Sequence, residues 1–216
     1  LEDEQYRVIR EIVCDLVLAT DLSHHASITS QFDQLMKSCK GRLEKALKKK
    51  PDRMIVLRML LKMADVSNPA KSLYLYLTWV KRLQEEFFYQ GRKEKEIGLA
   101  PSPFCDSDNC NITKCQQSFA DYIIVPLYST VTEFIPALQP LKASVETNCQ
   151  FWRETHTIMT LKELDELIAL EYERADKQPA PSYTNPFRQS HILEPPNFKK
   201  NLIDIMEDSA QELDEK

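Results

Sequence analysis

Residues 52–91, DRMIVLRMLLKMADVSNPAKSLYLYLTWVKRLQEEFFYQG, decide the fold. The first part is apolar almost all round, with Met54, Ile55, Val56, Leu57, Met59, Leu60, Leu61 and Met63. A helix apolar on every side belongs inside a larger helical body. The second part spaces Leu73, Tyr76, Val80, Leu83 and Phe87 by three and four, one stripe of a second helix bordered by Trp79. Such a stripe, taken alone, is core. Between the two helices lies Asp65-Val66-Ser67-Asn68-Pro69. Ser67 and Asn68 are good N-cap residues, and Pro69 suits the first helical position, where its missing N–H would be unpaired anyway. Asp65 ends the first helix, where a carboxylate opposes the negative end of the helix dipole at a cost of about 0.3–1 kcal/mol. Either a bound cation compensates it, or the side chain turns to solvent or a neighbouring amide.

Outward from this stretch the pattern stays helical. Residues 4–18 carry Ile9, Ile12, Val13, Leu16 and Val17 on one face. The Thr20-Asp21-Leu22-Ser23 step punctuates them, with Asp21 or Ser23 as the cap of the next helix. His24 and His25 point about 100° apart on a helix and cannot easily share one metal, so a surface or packing role is expected. Residues 27–47 continue helically with a break near Gly41, and Pro51 separates them from the central stretch. After Gly91, the charged run at residues 92–96 reads as a solvated helix end, and Pro101 and Pro103 mark a loop through to Asn109. Residues 111–134 form the next expected helix, with Ile112, Gln116, Phe119 and Ile123 on one face. Gln116 is the informative residue there. A buried amide without a partner costs about 1–3 kcal/mol, so it should meet a neighbouring side chain such as a Tyr, or a ligand edge. Residues 140–176 give one or two further helices with Val145, Cys149 and Trp152 as the inward stripe. Residues 178–198 read as a proline-containing linker. Residues 201–213 read as a short acidic amphipathic helix, a docking segment or a disordered tail.

Composition narrows the function classes. Of 216 residues, 43% are hydrophobic and 28% charged, ordinary for one globular domain. Three glycines exclude a Walker loop, a Rossmann fingerprint and a nucleophile elbow, all of which need clustered Gly. The last sixteen residues hold six acidic side chains and one basic, so they carry the whole net charge of −5. No nucleic-acid-binding surface is expected from the balanced remainder. The lysine-rich run at residues 42–50 lacks interleaved aromatics and reads as solvated. Cys105, Cys110 and Cys115 are spaced by five, which is not a CxxC ligand pattern. With neither a signal peptide nor a long apolar run, reduced thiols and a cytoplasmic location are expected, and a membrane anchor elsewhere in a longer parent stays open. The chain begins at Leu1 inside a helical pattern, as a piece of a longer protein would.

Several stretches, in order, resemble the class I 3′,5′-cyclic-nucleotide phosphodiesterases, whose catalytic domain is of the HD type. They are Ala19-Thr20-Asp21-Leu22-Ser23-His24-His25, Ala64-Asp65-Val66-Ser67-Asn68-Pro69, Glu85-Glu86-Phe87-Phe88-Tyr89-Gln90-Gly91, Ser102-Pro103-Phe104-Cys105-Asp106, and Gln116-Gln117-Ser118-Phe119 with Asp121-Tyr122-Ile123. The resemblance runs from about Gln5 to Trp152. It implies an all-α fold, a compact multi-helix bundle forming the C-terminal part of a larger helical domain. Residues 1–155 would belong to that catalytic domain, 156–177 to a terminal helix extension, and 178–216 to the linker and acidic tail.

The resemblance also implies metal-dependent hydrolysis of a cyclic nucleotide to the 5′-monophosphate in cyclic-nucleotide signalling. Two divalent cations, zinc and magnesium or manganese, would activate the water and neutralise charge on phosphorus, and a histidine would protonate the leaving oxygen. Asp65 would bind the tighter metal, and Thr20 would lie beside the metal-bound waters or bond the preceding helical turn. Gln116 would hydrogen-bond the purine edge and Phe119 would stack on the ring. Leu83, with Phe87 and Phe104, would close the other side, and Asn68 and Tyr76 would frame the pocket. Asn68 and Tyr76 favour cAMP over cGMP. The family's HNxxHA- and HDxxH-type motifs are missing. The four histidines, at 24, 25, 156 and 191, include no His-Asp pair. No catalytic residue is therefore assigned within this chain, and alone it is expected to be inactive. Its apolar faces at residues 9–17 and 55–61 are expected to promote self-association, and a homodimer is left open. The rival reading is a catalytically incomplete fragment acting as a nucleotide-binding or helical interaction module.

Overall fold

The computed structural model of the protein describes residues 3–177. The expected linker at 178–198 and the acidic tail lie outside the described residues. The described part is all-α, with no strand among its residues. It divides between Lys62 and Met63 into two units.

The first unit holds α1 (Asp3–Leu18), α2 (His25–Ser38), the short α3 (Leu43–Ala46) and most of α4 (Lys50–Asp65). Asp21 caps the 3₁₀ turn between α1 and α2, its Oδ1 accepting from the Ser23 amide at 2.8 Å. Lys40 (φ 55°) and Gly41 (φ 70°) both take the left-handed conformation that stops α2, which is why the helix breaks at Gly41. Ile28, Phe32, Met36, Val56 and Met59 are buried here. Arg58 grips Asp15 with a two-pronged guanidinium bond, at 2.9 and 2.6 Å. Lys62 is only 1% exposed and donates to the carbonyls of Thr20 and Asp21, at 3.2 and 3.1 Å. A lysine inside a run of apolar residues thus neutralises the carbonyl-rich end of α1. α4 is less enclosed than its apolar sequence predicts, since Leu57 is 36% exposed. Val13, Val17 and Leu18 are exposed on α1.

The second unit is built on α5 (Leu73–Glu96), α6 (Ile112–Phe119), α7 (Val125–Phe134), α8 (Gln139–Glu154) and α9 (Leu161–Lys177). Its core joins Tyr76, Leu77 and Val80 of α5 to Ile112 of α6, Trp152 of α8 and Leu164 of α9. Val145, Cys149 and Trp152 are fully buried, as their spacing predicts. The ring edges of Tyr76 and Phe151 meet Trp152 at centroid distances of 6.3 and 5.1 Å, a packing favourable beyond its area. α9 starts with a capping box: Glu163 Oε2 accepts from the Thr160 amide at 2.7 Å, and Thr160 Oγ1 accepts from the Glu163 amide at 3.3 Å.

Three details differ from the sequence-based expectation. Pro69 does not open α5; it sits in a 3₁₀ turn, Asn68–Ala70, and the helix starts at Leu73 behind Ser72. The cause is tertiary. The Asn148 amide donates to the carbonyls of Pro69 and Lys71 at 2.8 and 2.7 Å, which holds the turn off the helix. The inward line of α5 runs through Tyr76, Val80, Gln84 and Phe88, leaving Leu83 39% exposed and Phe87 half-buried. A straight helix of 3.6 residues per turn drifts off a 3.5-residue stripe. The third difference is that residues 112–134 are not one regular helix. A π segment, Ala120–Ile124, joins α6 to α7. Pro126 has no N–H and its ring crowds the carbonyl four residues back, and the wider turn absorbs that conflict. The buried line consequently passes through Gln116, Ala120 and Ile124, not Ile123.

Candidate functional site

α5 and α6 place the candidate residues. Tyr76, one turn into α5, is 1% exposed, and Gln116, on the inner face of α6, is 8% exposed. The Tyr76 hydroxyl donates to Gln116 Oε1 at 3.2 Å. This bond gives the buried amide the partner its sequence position demanded. In this arrangement the hydroxyl donates, and Nε2 of the amide points away from it. Burial, with the nearby Cys149 adding to it, pushes the Tyr76 phenol well above its ordinary range, so the donor stays protonated. Phe119 lies three residues on from Gln116, half-buried, at the last residue before the π segment. Such widened turns recur at functional sites.

The loop between α5 and α6 is tied down along the C-terminal half of α5. Glu94 accepts from both the amide and the hydroxyl of Ser102, each at 2.6 Å. These bonds hold the Glu94 carboxyl below the usual carboxylate range. Gln84 Nε2 donates to the Phe104 carbonyl at 3.2 Å. Lys95 bridges Asp106 and Asp108 at 2.7 and 3.0 Å. The Lys95 ammonium, together with the Asn109 amide, lowers the Asp106 carboxyl to about 2. Gly91 makes this closeness possible, since a Cβ there would fall 1.9 Å from the Cys105 carbonyl oxygen. The loop marked by Pro101 and Pro103 is thus anchored at Ser102, Phe104, Asp106 and Asp108. Phe104 at its tip has φ 68°, a strained value for a bulky residue, and its ring is 56% exposed. Phe104 lines a cleft of about 370 Å³ together with Ser102, Cys110, Lys114, Cys115 and Ser118.

The remaining candidates are dispersed. Asn68 stands half-buried in the 3₁₀ turn before α5, and Leu83 and Phe87 lie further along α5 on its more open flank. Gln116 and Phe119 do not line the cleft that Phe104 borders. The structure therefore joins Tyr76 to Gln116 directly, and assigns Phe104 to a neighbouring cleft.

Asp65 is exposed at the last residue of α4, and its carboxylate makes no hydrogen bond or ion pair among the described residues. In the first unit, the Thr20 hydroxyl donates to the Val17 carbonyl at 2.8 Å, closing the preceding turn. His24 is exposed, whereas His25 is 8% exposed with its Nδ1 unpartnered. Burial, with Lys62 adding to it, lowers the His25 imidazole below its ordinary range. No group of three His, Cys, Asp or Glu side chains among the described residues is placed to hold a metal ion. One exposed carboxylate does not fit a two-cation centre, because a catalytic zinc normally has three protein ligands.

Gln84, Glu94, Gly91 and the π segment were not picked out by pattern reading. Pro126 inside a helical run was the available signal for the π segment. Glu94 and Ser102 carried none, because their contact depends on how the loop folds back.

Within the second unit, the Tyr76–Gln116 bond and the half-buried Phe119 three residues further along α6 form the best-defined polar and aromatic group among the candidates. The 3′5′-cyclic nucleotide phosphodiesterase family model matches residues 1–145. The chain is 38% identical over 174 residues to the probable 3′,5′-cyclic-AMP phosphodiesterase pde-4 of Caenorhabditis elegans, covering 77% of this chain and 26% of that protein. It is 38% identical over 156 residues to isoform F of the 3′,5′-cyclic-AMP phosphodiesterase of Drosophila melanogaster, covering 71% and 24%. The solved structure of LmjPDEB1 in complex with IBMX aligns with a TM-score of 0.63 at 29% identity, over 71% of this chain and 45% of that one. The chain belongs to the 3′,5′-cyclic-nucleotide phosphodiesterase family. It spans about a quarter of the length of these curated relatives. No helix among the described residues is long and apolar enough to cross a membrane.

Proposed function

We propose that this chain supplies the purine-recognition part of a 3′,5′-cyclic-nucleotide phosphodiesterase, with cAMP the favoured substrate and 5′-AMP the product. The observation that carries it is the buried Tyr76–Gln116 bond at 3.2 Å. With Oε1 engaged by Tyr76, the Gln116 Nε2 group is the free donor towards a base, and the remaining lone pair of Oε1 accepts. An adenine edge, with a ring nitrogen acceptor beside its amino donor, matches that order. Phe119 stacks on the ring, and Leu83 and Phe87 offer apolar surface to its other side. Asn68 and Tyr76 frame the pocket. The 3′,5′-cyclic-AMP phosphodiesterase names of the relatives support the same substrate.

The divalent ions the family uses, zinc with magnesium or manganese, would find the carboxylate of Asp65 in the second unit. That donor set does not close a site, so no bond-breaking step is derived from these residues. A second reading follows from this shortage: the chain by itself binds the nucleotide without hydrolysing it. Purified residues 1–216, assayed with zinc and magnesium for 5′-AMP release from cAMP, should show no metal-dependent turnover. Turnover near the rate of a complete relative would mean that other residues of this chain complete the centre.

A further inference from the structure

Cys110 and Cys115 stand at opposite ends of the first turn of α6. Asn111 is the N-cap of that helix, its Oδ1 accepting from the Lys114 amide at 3.0 Å. Cys110 is therefore the residue before the cap and Cys115 the fourth residue of the helix. These are the two positions that meet in a hydrophobic staple, where apolar side chains fix the angle at which a loop enters a helix. Here both staple residues are thiols, and their sulfurs lie 3.7 Å apart. Gln84 Nε2 donates to Cys110 Sγ at 3.5 Å, which holds that side chain in place from α5. Both cysteines line the cleft of about 370 Å³, so a small solute reaches them.

We propose that Cys110 and Cys115 form a redox-active dithiol that hydrogen peroxide closes to an intramolecular disulfide, covalently sealing the start of α6. The Cys110 sulfur attacks one peroxide oxygen, the O–O bond breaks, and water leaves with the thiol proton, giving a sulfenic acid. The Cys115 sulfur then attacks the Cys110 sulfur. The S–O bond breaks and a second water leaves with the Cys115 proton, so two thiols and one peroxide give one disulfide and two waters. Burial, with Cys110 beside it, pushes the Cys115 thiol up to about 12, so its thiolate is scarce at neutral pH and closure is slow there and faster as pH rises. The inference does not depend on the nucleotide reading.

Lys114 lies between the two cysteines, so trypsin places them on separate peptides, residues 96–114 and 115–142. The protein is treated with peroxide, alkylated, digested without reductant and mapped by mass spectrometry. The expected result is a linked pair of these peptides, about 2 Da lighter than their sum and split by reductant. Cys105 shares the first peptide with Cys110, so the link must survive Cys105→Ser and vanish in Cys110→Ser and Cys115→Ser. Phenylarsine oxide, which needs two adjacent thiols, should add once to the reduced protein and not to either of the last two variants. A bridge retained in Cys110→Ser, or oxidation of the two cysteines to separate acids with no bridge, overturns the proposal.

Discussion

The Tyr76 hydroxyl and Gln116 Oε1 lie 3.2 Å apart, on two helices separated by forty positions in the chain. Neither residue has water to fall back on, as both are buried. The bond therefore has two consequences. It satisfies an amide that would otherwise be costly, and it leaves the Gln116 Nε2 group free of this contact.

Tyr76→Phe should destabilise the second unit by about 1–3 kcal/mol, the cost of leaving Gln116 Oε1 buried and unpaired. Chemical denaturation followed by circular dichroism measures this through the midpoint at unchanged slope. The matched control is Tyr128→Phe, which removes the bond to the Met63 carbonyl at 3.2 Å. An unchanged midpoint for Tyr76→Phe would mean that Gln116 finds another partner and that its orientation is not set by the tyrosine.

Gly91→Ala should be more damaging than a helical glycine-to-alanine change normally is. In an open helix the substitution stabilises by up to about 1 kcal/mol. Here the new Cβ would sit 1.9 Å from the Cys105 carbonyl oxygen, which is backbone and cannot swing aside. Loss of about 1–3 kcal/mol is expected, with faster amide exchange over residues 101–106. A stabilised variant with unchanged exchange would contradict the close approach.

The Asp106 carboxyl should titrate near 2 because Lys95 and Asn109 favour its charged form. The folded value lies below the unfolded reference of 3.8, so this anchor is fully present above pH 3.8 and is lost as pH falls through about 2. Carbon-detected NMR of the carboxyl gives the midpoint directly. Lys95→Met should raise it towards 3.8, leaving the part owed to Asn109. A wild-type midpoint at the reference value would show that the Lys95 bridge is open in solution.

How far the sequence spoke for itself can be judged from particular residues. Helical spacing identified Val145, Cys149 and Trp152 as inward, because burial on one face leaves a direct period in the sequence. Gln116 stood out for the same reason, as a polar residue on an apolar face, and a tyrosine was among its expected partners. The three-and-four spacing predicts Leu83 and Phe87 inside with Tyr76, whereas the helix turns Gln84 and Phe88 inward. A glutamine at a core position reads as surface until the Phe104 carbonyl that satisfies it is known. Pro69 had every local qualification to open α5, and was displaced by Asn148, seventy-nine positions away. Long-range side-chain bonds leave no periodic trace, and they set both the turn before α5 and the loop after it.

The proposed role of Gln116 and Phe119 is to read the purine. It is tested most directly by grafting residues 5–152 into a complete relative in place of the equivalent span, and measuring kcat/KM for cAMP and cGMP. Removing a stacking partner worth about 1–3 kcal/mol predicts that Phe119→Ala lowers kcat/KM for both nucleotides roughly 5- to 150-fold. Gln116→Ala should lower it for cAMP by a similar factor, with the purine edge left unpaired. If both variants keep the turnover of the unmutated graft on both nucleotides, the base pocket is not built from these residues.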